Sequence, residues 1–151
     1  MTRRFTLDVE TTVEWLGGRA VDNRPQNPKN YIVSIGLQDI DTKEIWYVPV
    51  NHVEKPVDAD GFNEVKRLIE QEASLLVMHN AQFGLHWIWA VGIDYHGEIH
   101  DTMVGEYLLA RGRRMPMSLA ASCERRNLSE QKSDATKEYF NKGIGYEAMP
   151  W

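Results

Sequence analysis

Apolar and polar residues alternate through Phe5-Thr6-Leu7-Asp8-Val9-Glu10, and a period of two predicts a strand with Asp8 and Glu10 on one face. Residues 17–30 are rich in Gly, Pro, Asn and Arg and predict a long loop. The β-branched, apolar stretch Tyr31–Gln38 predicts a second strand. A polar turn over Asp39–Lys43 then leads to a third, Glu44–Val50, in an antiparallel meander. Phe62, Val65, Leu68 and Ile69 recur at helical spacing over Gly61–Glu72, with Asp60 as the expected cap. Ser74–His79 is a continuous apolar run and predicts a buried, parallel-type strand. Helices are expected over Gln82–Val91, Thr102–Ala110 after an Asp101 cap, and Leu119–Arg126 after Ser118, with a short strand at Gly97–Ile99. From Ser129 onward the chain is polar. This order predicts one α/β domain around a mixed sheet.

Composition narrows the function classes. The 151 residues suit a single domain, and 42% apolar with 26% charged residues excludes a disordered or fibrous chain. A net charge of −5 argues against a protein that coats nucleic acid through bulk charge. It leaves room for an enzyme in which carboxylates hold metal and the metal faces phosphate. The single cysteine, Cys123, excludes an internal disulfide and a zinc finger and fits a reducing compartment. No apolar run reaches membrane-spanning or signal-peptide length, so a cytoplasmic protein without membrane attachment is expected. The phosphate-cradling pattern GxxxxGK[ST] is absent, and the five histidines form no ligand set.

Three segments carry candidate chemistry. Asp8 and Glu10 repel one another unless a cation lies between them, or else they form a polar strand face. Asn80 and Phe83, in His79-Asn80-Ala81-Gln82-Phe83-Gly84, stand where the buried strand enters a helix, the end of an α/β sheet at which sites form. An amide there offers a donor and an acceptor, and a ring offers a stacking surface; the alternatives are a helix cap and a core phenylalanine. Asp101 before a helix is first an N-cap. Arg111, Arg113 and Arg114 form a short basic cluster, suited either to phosphates or to a solvated helix end.

In order and spacing, these segments resemble the DEDD superfamily of 3′–5′ exonucleases, above all the proofreading domain of family-A DNA polymerases of the bacteriophage kind. Leu7-Asp8-Val9-Glu10-Thr11-Thr12 is similar to the first motif and His79–Ile88 to the second. Asp101-Thr102-Met103 with Tyr107-Leu108-Leu109 is similar to the stretch that follows, and Met117-Ser118-Leu119 to a region further on. The resemblance implies a ribonuclease-H-like fold, a mixed five-stranded sheet flanked by helices. It also implies removal of nucleotides from a single-stranded DNA 3′ end by hydrolysis at two Mg²⁺ or Mn²⁺ ions. Carried over, Asp8 and Glu10 are catalytic metal ligands, and Thr11, Asn80 and Phe83 meet the nucleic acid. Asp101 is a lesser candidate for a further acid.

Two departures are visible. Where the family has an aspartate after the aromatic residue, this chain has Gly84, which cannot bind metal. The final Tyr-x-x-x-Asp motif is absent, since Tyr139 is followed by Gly143 and Tyr146 by Pro150. The expectation is therefore an exonuclease-like domain over residues 1–151, truncated at its C-terminus, with little or no activity alone. Its implied partners are the DNA 3′ end and a polymerase domain or a missing C-terminal segment. An RNase D- or T-like ribonuclease and a catalytically dead binding module of the same fold stand as alternatives.

Overall fold

β1 (Arg3–Thr11) is the central strand of the computed structural model, which describes residues 2–16, 19–128 and 134–150. Its alternation is realised: Phe5, Leu7, Val9 and Thr11 are buried, while Arg4, Thr6, Asp8 and Glu10 take the other face. β4 (Ile32–Asp39) pairs with it antiparallel and β5 (Ile45–Pro49) continues the meander. β6 (Ala73–Met78) pairs with β1 in parallel, and β7 (Glu98–Asp101) adds a second parallel partner. The sheet order is β5-β4-β1-β6-β7, a mixed five-stranded sheet.

Helices complete the domain. α1 (Ala59–Arg67) runs into one π-helical turn, Leu68–Glu72, and buries Val65, Leu68 and Ile69. α2 (Ala81–Ala90) follows β6 and buries Leu85, Trp87 and Ile88. These side chains join Phe5, Leu7, Val9, Ile35, Leu37, Leu76 and Met78 in one core. α3 (Thr102–Ala110) follows β7 directly, then come α4 (Leu119–Arg125) and α5 (Asp134–Asn141). No helix among the described residues is long and apolar enough to cross a membrane.

Three expectations change. The predicted loop over 17–30 holds part of a two-stranded ribbon, β2 (Glu14–Leu16) with β3 (Arg19–Asp22). The Trp87 indole N–H donates to the Asn23 carbonyl at 3.2 Å and ties this region to α2. The cap of α1 is Asp58, not Asp60, because Asp58 Oδ1 accepts from the Gly61 amide at 2.9 Å. The polar C-terminal segment forms α5 and a 3₁₀ turn at Tyr146–Ala148.

Candidate active site

Asp8 and Glu10 stand on the sheet face opposite the core. Across the sheet Asp8 pairs with Gly36, and Gly36 with Tyr47. Gly36 also borders this face: a Cβ there would fit in ordinary van der Waals contact with the Asp8 carbonyl oxygen and the Tyr47 ring, each at 3.8 Å. The β1–β6 register runs through Thr6 opposite Val77, which brings the end of β6 alongside Asp8. Asp8, Met78, His79, Thr102, Gln38 and Leu119 accordingly border one cavity of about 420 Å³.

Glu10 pairs with Ser34 and lines a second cavity, about 240 Å³, with Tyr47, His52 and Tyr146. There the Ser34 and Tyr47 hydroxyls lie 3.0 Å apart. Thr11 faces a third, about 570 Å³, walled by Phe140, Gly143, Ile144 and Tyr146. The two acids thus share a strand face while opening on different cavities.

Asn80 opens α2 with a left-handed backbone, φ 66° and ψ 61°, which asparagine tolerates better than most residues, and its side chain makes no capping bond. Phe83 is half-buried, packs against the core and meets the Trp87 ring edge-on at 6.5 Å. Gly84 is buried, and a Cβ there would overlap the terminal methyl of Met78.

Asp101 is committed to backbone. The register ends with Met78 beside Asp101, so its carboxylate lies at the start of two helices at once. Oδ1 accepts from the amides of Asn80 (3.1 Å) and Met103 (2.9 Å), and more distantly from Val104. Oδ2 accepts from the amide of Ala81 at 2.8 Å. Burial pushes the Asp101 carboxyl up, but these four donors outweigh it and leave its pKa lowered. The capping role expected first for Asp101 is the one it fills.

Sequence reasoning gave His79 and Thr102 no role, yet both border the Asp8 cavity. His79 Nδ1 lies 2.9 Å from Thr102 Oγ1, and Nε2 lies 2.8 Å from the Met117 carbonyl. Thr102 Oγ1 is also 3.2 Å from the Met78 carbonyl. A polar His at the end of an apolar strand is a local signal; its partners, 23 and 38 residues away, have none.

No protein-family model matches the sequence, and no curated protein matches it either. Solved structures do. One described as the apo form of the nuclease superposes with a TM-score of 0.63 at 12% identity, over 97% of this chain and 59% of that one. NrnC of Brucella melitensis bound to pGG gives 0.57 at 14% identity, over 95% and 67%. NrnC with bound Mg²⁺ gives 0.51 at 14% identity with the same coverage. The fold is that of the ribonuclease-H-like nucleases. This chain spans 59% of the length of the first of these neighbours.

On this fold the donor set for metal is short. Among the described residues no group of three or more His, Cys, Asp or Glu side chains is gathered to hold an ion. Position 84 offers no carboxylate and Asp101 is engaged by four amides. Asp8 and Glu10 alone do not fit a two-metal centre, which needs oxygen donors enough to clamp both an attacking and a leaving oxygen.

Proposed function

We propose that this chain is a DEDD-lineage exonuclease domain that receives the 3′ end of a single-stranded nucleic acid but hydrolyses it slowly or not at all by itself. The reading rests on one observation: Asp8 and Glu10 share a strand face, Asp8 beside the end of β6, and among the described residues no third acid joins them to hold a metal, since position 84 is glycine and Asp101 is a cap. Asp8 and Glu10 are the catalytic and metal-side residues of the lineage, whose metals are Mg²⁺ or Mn²⁺. Thr11, Asn80 and Phe83 are the nucleic-acid-side residues. Thr11 borders a cavity of about 570 Å³, and the Asn80 amide and the exposed part of the Phe83 ring offer a hydrogen bond and an edge for a base or sugar.

DNA of the kind presented to a proofreading domain is the first substrate reading, from the motif order. A ribonuclease reading has its own support in the likeness to a nuclease bound to pGG. Digestion of 3′-labelled single-stranded DNA and of pGG in Mg²⁺ or Mn²⁺, beside Asp8→Ala, tests both. The expected result is binding of single strands with nucleotide release no faster than in Asp8→Ala. Rapid single-nucleotide release that Asp8→Ala abolishes overturns the impairment. Failure to bind any single strand overturns the lineage reading.

A further inference from the structure

We propose that the loop from Arg111 to Met117 is a phosphate-binding track that leads a nucleic-acid strand along α3 to the Asp8 cavity. The proposal rests on the 3′-end reading for the strand's destination; the track itself comes from charge placement and from where the loop runs.

Charge is distributed unevenly. Residues 102–128 hold five arginines against two glutamates and no other acid or lysine, an excess of three positive charges in a chain whose net charge is −5. The pairing inside this region is also uneven. Glu106, nearly buried, accepts from Arg125 at 2.8 Å and Arg126 at 2.6 Å. Arg111, Arg113 and Arg114 are exposed, and none has an acidic partner among the described residues. Arg113 reaches only the carbonyl of Ala110, through Nε.

The loop has a fixed course. α3 begins at the Asp101 cap, beside His79, and ends where Arg111 turns left-handed at φ 49°, with Gly112 following at φ 79°. The chain then doubles back, because the Met117 carbonyl lies 2.8 Å from His79 Nε2. Nine helical residues span about 13 Å, so the six steps from Arg111 to Met117 retrace the helix to its start. The arginines therefore sit on a path whose near end meets His79, a residue that borders the Asp8 cavity.

The surface beside that path suits bases. Tyr107 is 60% exposed and Leu108 75% exposed on the last turns of α3. Sequence-tolerant single-strand binders combine stacking rings with cationic phosphate contacts, and here the exposed ring lies on the helix that the arginine loop runs along. A strand laid here would put phosphates on the arginines and bases toward α3.

The test uses the full chain and a fluorescent dT16 single strand, with anisotropy read across a salt series. Wild type is compared with Arg113→Glu/Arg114→Glu, Arg113→Lys/Arg114→Lys and Lys55→Glu, a charge reversal outside the loop. The charge reversal is expected to weaken binding at least tenfold at low salt. It should also flatten the slope of log K against log[salt] by about 1.4, near 0.7 for each lost phosphate contact. The lysine pair should keep the slope, and Lys55→Glu should keep both. Equal slopes for wild type and the charge reversal, with binding intact, overturn the track and leave the 3′-end reading standing. No binding by wild type removes that reading and the track together. Arginine-dependent binding to anionic phospholipid vesicles that dT16 fails to compete assigns the patch to a membrane and also overturns the proposal.

Discussion

Between α2 and the end of β6 there is room for a hydrogen at position 84 and little else, because the Met78 methyl fills the place a Cβ would take. Methionine is flexible, so the steric part of adding a side chain is modest. The larger cost of Gly84→Asp is a carboxylate pressed toward a core methionine that is 4% exposed. We expect Gly84→Asp to lower stability by about 2–4 kcal/mol in urea unfolding. Met78→Ala alone should cost about 2–5 kcal/mol as a cavity mutation. Combined, the two should cost less than their sum by at least about 1 kcal/mol, since the second vacates space the first needs. Strict additivity would mean that Met78 is not what occupies the missing acid's place.

At the scale of elements, one carboxylate joins the ends of three strands. Asp39 closes β4, accepts from the amides of Asp41 and Thr42 at 2.8 Å each, and receives Arg3 of β1 at 2.6 Å. Arg3 in turn lies over the Phe5 and Trp46 rings, the latter on β5. The Thr42 amide, with Arg3 and the Asp41 amide, outweighs burial and holds the Asp39 carboxyl at about 2, below its ordinary 3.8. A folded-state pKa below the unfolded one stabilises the protein above pH 4, and that contribution is lost as pH falls from about 4 to about 2. Asp39→Asn should therefore be less stable than wild type at pH 7, and the gap should close toward pH 2 in acid-denaturation curves. A gap that stays constant over this range would remove Asp39 from the acid transition.

The elements also show what local pattern carries. β1, β4 and β6 were legible because a period of two and an unbroken apolar run are properties of neighbouring residues. The ribbon of β2 and β3 was not: strands of three and four residues are swamped by the Gly, Pro and Asn around them. α5 is only eight residues long and has Tyr139 and Phe140 as its only large apolar side chains, too few to stand out among its polar neighbours. Asp58 and Asp60 are equivalent as letters, and only the position of the Gly61 amide chooses between them. At the site, the shared face of Asp8 and Glu10 follows from β1 alone. The separate cavities of those acids depend on Gly36, His52, Thr102 and Tyr146, brought in by sheet register and chain reversal.

Across the whole molecule, many carboxylates are spent on structure: Asp22, Asp39, Glu64, Glu72 and Glu106 all pair with arginine. An acidic protein of this kind does not gather polyanions by its overall field, so contact with nucleic acid has to be local. The Asp101 carboxylate likewise joins elements, accepting from the first amides of both α2 and α3. Because a single carboxylate begins both α2 and α3, neither helix has an N-terminus of its own to fray. Amide hydrogen exchange should register this as shared opening: in Asp101→Ala the first-turn amides of both helices should exchange faster together, roughly tenfold for each 1.4 kcal/mol of lost capping, while those of α1 keep their rates. Acceleration confined to α3 would show two independent hinges. Joint acceleration would make the two helices that start beside the Asp8 cavity one cooperative unit, opening and closing as a single leaf.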